Sequence, residues 1–393
     1  MRIIGVRSTV VVAVIVSLTL AIALAACGSS SSSSSTATTT TAGGSEATNS
    51  GDNGGSAGVD IAAAEKVIAP YIGKPSPFPV IEKLKEVPTG AKIAYMNCGN
   101  PVCAIFYELL QGAAKTMGVE IVDLKAGSSA NTVSSAFDTA VTGGFDAVIV
   151  TAIPIELWSR QLKELQAKEI PVITSGATGT EPYGIKTPQA SDPMDELMGE
   201  LMANYAIAEF SPASNYVYYS VPELPFSAVI EATVKEEIEK KCSECTLRTA
   251  KVPIAQLGNT APNTVVSDLQ AHPETEVAIF STEEIAIGLP PALKTAGIEV
   301  KTMGDSPTPS NLEALKKGEA SASLGVDIGV LSWTLLDQAA REITGQELTG
   351  PEAEGITVAQ FLTQKDITFD PSKGWSGYPE FAEKFAQLWG VEG

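Results

Sequence analysis

The chain has 393 residues, with 26 basic and 46 acidic side chains and a formal net charge of −20. So acidic a surface repels phosphate backbones and argues against a nucleic-acid partner. A single histidine, with no P-loop and no Gly-x-Ser-x-Gly elbow, argues against the common metal, nucleotide and acyl-transfer chemistries, and no cofactor is expected.

The N-terminus carries Arg2 and Arg7 and no acid, then runs apolar from Val10 to Ala26 with Ser17 and Thr19 as its polar interruptions. Leu24-Ala25-Ala26-Cys27-Gly28 follows. A positive start, an apolar stretch and a small-residue cleavage site define an export signal over residues 1–26. A cysteine directly after Leu-Ala-Ala makes it the lipoprotein type, in which Cys27 is diacylated and becomes the new N-terminus. The competing reading, a transmembrane anchor, has a 17-residue run at the short limit for a span. Residues 28–58 hold Gly, Ser, Thr, Ala and Asn with two acids and no large apolar side chain. Such a segment buries too little surface to fold, so 27–58 reads as a tether. The chain is therefore expected on the outer face of the cytoplasmic membrane.

About 335 residues remain beyond the tether, a length that suits two lobes better than one core. Besides Cys27 there are Cys98, Cys103, Cys242 and Cys245. Two close pairs in an exported chain read as two disulfides, ahead of a four-cysteine zinc site. Cys242-Ser-Glu-Cys245 follows a predicted helix; a redox pair would sit at a helix N-terminus, where the dipole lowers thiol pKa.

Residues 59–90 form an extension, with a predicted helix from Val59 to Ile68 and a Pro-rich lead-in. From Lys92 short apolar runs alternate with helical segments. Strands are predicted at 92–97, 119–124, 145–151 and 170–174, with helices at 105–117, 131–142 and 157–168. After Ser191 the pattern resets with a helix over 194–209. Strands at 216–220, 246–252, 276–280 and 298–303 then alternate with helices at 226–240, 264–271 and 285–296. Strand–helix alternation implies an α/β fold with doubly wound parallel sheets, and continuous apolar runs fit strands buried on both faces. A C-terminal helical face carries Phe381, Phe385, Leu388 and Trp389; packing is the first reading and a partner surface the second.

Asn97-Cys-Gly-Asn100-Pro101, Gln111–Gly118, Lys168-Glu-Ile-Pro-Val-Ile-Thr174, Ala271-His-Pro-Glu-Thr-Glu-Val-Ala-Ile-Phe280, Glu283–Gly288 and Gly318–Ser323 occur in this order. In order and spacing they resemble the ribose-binding-protein-like family, the type I solute-binding proteins of sugar ABC importers, over roughly Lys92 to Leu348. The resemblance implies two Rossmann-like lobes joined by three crossovers, near Ser191, Val326–Asp327 and Glu354–Ile356. Lobe 1 would take 91–191 and 327–354, and lobe 2 would take 192–326 and 355–393. It implies a monomer that captures a small solute, a sugar, polyol or amine-bearing compound, and delivers it to an ABC permease. Presentation of the solute to a membrane sensor kinase is the alternative. Neither reading makes the chain an enzyme; paired acids could run glycoside hydrolysis, but the fold argues against it.

Ligands of open α/β sheets sit at the carboxyl ends of strands. That rule points to Asn97, Cys98, Asn100, Ile153, Ser175, Asp192, Phe226, Glu283, Asp305 and Asp327. The resemblance matches Asn100 to a hydroxyl-binding Asn and replaces two aromatics by Val102 and Cys103. The family's arginines are missing here, while carboxylates remain. Phe106, Trp158 and Phe226 could stack on a ring or hold a cation by its π contact. A Cys98–Cys103 bridge would fix Asn100 at a helix start and preorganise the site.

Overall fold

A computed structural model describes residues 58–210 and 215–391. The export signal, Cys27 and all but the last residue of the tether lie outside the described residues. Helix α1 (Ile61–Ile68) opens the extension, with the Asp60 carboxylate capping it on the Ala63 N–H.

The first sheet alternates strand and helix: β1 (Lys92–Asn97), α2 (Pro101–Met117), β2 (Glu120–Lys125), α3 (Ala130–Thr142), β3 (Ala147–Thr151), α4 (Ser159–Ala167) and β4 (Val172–Ser175). The strands are parallel in the order β2-β1-β3-β4. Every residue of β3, and all but Lys92 in β1, is buried, as central strands covered on both faces require. Helix α2 starts four residues before the predicted Ile105. Pro101 supplies its first turn, where a missing N–H is no loss, and Gly118 ends it in the left-handed region at φ 82°.

Helix α5 (Asp192–Tyr205) and a π-turn (Ala206–Phe210) lead to the second series. It comprises β5 (Asn215–Ser220), α6 (Pro225–Lys241), β6 (Thr246–Lys251), α7 (Ala261–Ala271), β7 (Val277–Phe280), α8 (Leu289–Ala296), β8 (Lys301–Gly304) and α9 (Pro309–Lys316). Its sheet has the same parallel plan, β6-β5-β7-β8. Beside it, β9 (Ser323–Val326) bridges Asp305 through Leu324 and pairs antiparallel with β10 (Ala359–Leu362).

Between β9 and β10 runs α10 (Ile328–Thr344), which packs on α2, β3 and β4 of the first lobe, whereas α5 packs on α6 of the second. The chain thus passes between lobes after Ser191, at Val326–Ile328 and before β10. A further crossing corrects the expected boundary that put all of 355–393 in the second lobe. The turn Pro371–Lys373 packs on α9, but α11 (Phe381–Trp389) returns to the first lobe, against α10 and α2. Its apolar stripe explains this. Phe385 and Trp389 are buried, Trp389 stacks on Trp333 at 5.3 Å, and its Nε1 donates to Asp337 at 2.6 Å. The aromatic tail is packing.

The Pro-rich extension lies along this tail. Ser76 N donates to Ala359 O (3.1 Å), and Leu84 N to Leu388 O (2.8 Å). Cys242 caps α6 and is paired with Cys245 (Cα–Cα 5.3 Å) at the C-terminal end of that helix, where it bridges Val59 just before α1.

Candidate functional site

The strand ends of both sheets face a cavity of about 90 Å³. Lobe 1 contributes Cys98, Asn100, Val102, Cys103 and Phe106 around the start of α2. Thr151 and Ala152 come from the end of β3, and Ser175 and Gly176 from the end of β4. Lobe 2 contributes Asp195 and Met198 from α5, Leu224 and Phe226 at the start of α6, Thr282 and Glu284 after β7, and Asp305 and Ser306 after β8. Val326, Ile328 and Leu331 close it at the hinge. A larger, open groove of about 1040 Å³ lies at the amino ends of β7 and β8, where ligands of open α/β sheets are not held.

Seven residues expected at the site from sequence, Cys98, Asn100, Cys103, Phe106, Ser175, Phe226 and Asp305, line this cavity. Four do not. Asn97 turns into its own loop, accepting from Gly99 N at 3.0 Å. Asp192 accepts from Gly179 N at 2.9 Å, one turn away from the wall. Glu283 points back into lobe 2, bonded to the Ser323 hydroxyl, and burial pushes its carboxyl up to about 8. Asp327 caps α10 on Val330 N (2.9 Å) and holds the tail through Ser376 Oγ (2.6 Å) and Gly377 N (2.9 Å). Ile153 and Trp158 also belong to the core, Trp158 stacking on Phe137 at 4.5 Å and donating to Ile153 O.

Two acids replace the ones misplaced. Asp195 lies one turn beyond Asp192 and is 1% exposed. Neither of its carboxylate oxygens has a hydrogen-bond partner. Glu284 follows Glu283 in a 3₁₀ turn (Glu283–Ala286), where the predicted helix over 285–296 begins late, and that turn aims the second acid at the cleft. Its Oε1 accepts from Val102 N at 3.0 Å, a bond between the two lobes. Asp305 is 3% exposed and its Oδ2 is unpartnered.

Burial pushes the Asp195 carboxyl up to about 8, with the charges of Asp305, Asp192 and Glu196 adding to it. Burial likewise raises Glu284 to about 7, against the Val102 hydrogen bond, and Asp305 to about 7, with Ser306 opposing and Glu284 adding. No Lys, Arg or His lines the cavity among the described residues.

Cys98 and Cys103 are paired at a Cα–Cα distance of 5.9 Å, tying the loop after β1 to the first turn of α2. Asn100 sits between them with its side chain free of the helix cap. Tyr95 braces the floor, donating to Cys103 O (3.0 Å) and bonding Thr151 Oγ1 (2.9 Å). Strain also gathers here. Of the four described non-glycine residues with positive φ, Ala152 (50°), Ala190 (41°) and Ser306 (56°) line the cavity. Such backbone persists where its surroundings over-determine it, as they do at ligand clamps.

A family model described as a periplasmic binding protein domain matches residues 93–347. The chain belongs to this family. It is a periplasmic binding protein, and its two-lobed architecture is that of the type I solute-binding fold. No curated protein matches it by sequence. Solved structures share its fold at low identity. A 5-methylthioribose transporter solute-binding protein from Thermotoga lettingae is 16% identical, with a TM-score of 0.62 over 79% of this chain and 99% of that one. The arabinose transporter binding component from Shewanella sp. ANA-3 is 16% identical, with a TM-score of 0.62 over 76% and 96%. A solute-binding protein from Agrobacterium vitis with bound allitol is 16% identical, with a TM-score of 0.60 over 71% and 97%.

Proposed function

We propose that this binding protein is a lipoprotein held at the membrane by acylated Cys27, and that it takes up a small polyhydroxylated solute between its lobes for an ABC permease. The observation that carries the ligand site is the interlobe cavity, floored by strand carboxyl ends and spanned by the Val102–Glu284 hydrogen bond. Asn100, Ser175 and Ser306 offer hydroxyl-matching polar groups, and Phe106 and Phe226 offer ring faces. The structural relatives were solved with a methylthioribose, an arabinofuranose and an alditol, polyhydroxylated compounds whose hydroxyls suit the polar groups of this wall. The export signal supports an oxidising compartment, so the Cys98–Cys103 and Cys242–Cys245 pairs would be disulfides in the working protein.

Binding to the folded state alone adds RT ln(1 + [L]/Kd) to stability. A melting screen of the full chain in detergent against sugars, polyols, nucleosides and amines should therefore give at least one stabilising compound. Its effect should shrink in Asn100→Ala and Phe226→Ala. A stabilising compound indifferent to both substitutions would move the site elsewhere.

A further inference from the structure

The cavity wall is unbalanced in charge. Three carboxylates, Asp195, Glu284 and Asp305, face it, and no cation does among the described residues. Glu284 is engaged by Val102 N, which leaves Asp195 Oδ1, Asp195 Oδ2 and Asp305 Oδ2 as buried acceptors with no partner. A buried acceptor left unpaired is destabilising by about 1–3 kcal/mol, more for a charged group, so such atoms are retained where a ligand completes them. A primary ammonium carries three N–H donors and no acceptor. A hydroxyl brings one donor and must also be donated to, whereas this corner of the wall, once its acids ionise against a cation, offers acceptors alone.

Resting on the reading of the cavity as the solute site, we infer that the solute bears a protonated amine, seated against Asp195 and Asp305, with its hydroxyl-bearing part toward Asn100, Ser175 and the Phe106 and Phe226 rings. The class is a small amino sugar or amino polyol. No described group of three or more His, Cys, Asp or Glu is placed to hold a metal ion, so the acids are not gathered for a bare divalent cation. The titratable groups around the ammonium position are Asp305 and Glu284 from the second lobe's strand ends, with Asp192 and Glu196 of α5 acting on Asp195 by charge from outside the wall and the buried Tyr218 phenol interacting with Asp305. All are acidic or neutral, so a cation meets no repulsion from any packed element. In the empty cavity burial favours the protonated carboxyls near neutral pH. An entering ammonium favours the ionised ones, so its binding releases protons.

The test is titration calorimetry of the full chain with matched pairs: sorbitol and 1-amino-1-deoxysorbitol, glucose and glucosamine, glycerol and 3-amino-1,2-propanediol. Each is run in two buffers of different ionisation enthalpy and at two pH values. The expected result is an amine binding about thirtyfold or more tighter than its neutral parent, the size of effect seen for truncating one partner of a buried charge pair. It should release protons to the buffer and bind more weakly at pH 5.5 than at pH 7.5, and Asp195→Asn should abolish its preference. A neutral parent that binds as tightly as its amine without proton release overturns the inference and leaves the receptor reading standing. Binding by neither arm, with a flat melting screen, overturns both. The proton-release measurement uses the unaltered chain, so a misfolded variant does not decide the outcome.

Discussion

Asp192 and Asp195 sit three residues apart in the first turn of α5 and do different work. One ties down a loop through Gly179 N, and the other faces the cleft with both oxygens unpartnered. Glu283 and Glu284 divide in the same way between the interior of lobe 2 and the cavity. The strand-end rule finds both neighbourhoods in the sequence. It cannot give the rotation of a side chain about a helix start or a 3₁₀ turn, and so in each pair it selects the member that does not line the cavity. Asp327 was legible as an acid at a strand end, but its two oxygens are used up by a helix cap and the tail. The raised carboxyls also set a pH dependence. The folded state holds protons on Asp195, Glu284 and Asp305 that the unfolded chain releases at ordinary carboxylate pKa, so their contribution is fully present below about pH 4. It is lost as pH rises through about 7 to 8. Thermal melts of the ligand-free protein should therefore show falling stability from about pH 4 to about pH 8, levelling off above it. Asp195→Asn should flatten that fall; an unchanged slope would mean that Asp195 does not hold its proton.

Among the elements, those with strong periodicity and clear caps were the readable ones. β1 was predicted with its observed bounds, and α2 was missed at its start because Pro101 reads equally as a turn residue and as a first helical residue. The β9–β10 ribbon was not predicted as a pair. Its four-residue strands carry no periodic signal, and they meet across α10 through contacts no local pattern encodes. The Cys98–Cys103 pair closes a short loop around Asn100 and stiffens the start of α2. Chain-entropy arguments give about 2 kcal/mol for a loop of this length. A double Cys98→Ser, Cys103→Ser variant should lose about that much in denaturant unfolding and should also bind its solute more weakly. Lower stability with unchanged affinity would leave the bridge a staple with no part in ordering the site.

At the scale of the whole molecule, two parallel sheets of identical order meet at their carboxyl ends, and the chain crosses between them at Ser191, Val326–Ile328 and before β10. That plan was legible through the order of several weak motifs. The return of α11 to the first lobe was not, because it depends on the Trp333 and Asp337 surface waiting on α10. Arg341 and Asp337 form a fully buried ion pair there, and Arg341 Nη2 donates to Glu82 O at 2.6 Å, so the extension, α10 and the tail make one bracket behind the hinge. For the exported chain, Cys27→Ser should shift the protein from the membrane fraction to the soluble one, read by fractionation; retention at the membrane would contradict the lipid anchor. On the proposed reading, solute is held between the lobes. A crystal structure with the strongest compound from the melting screen tests it most directly. Density should lie among Asn100, Phe106, Asp195, Phe226 and Asp305, with the Val102–Glu284 bond in place. Density instead in the open groove at the amino ends of β7 and β8, with this cavity empty, would contradict it.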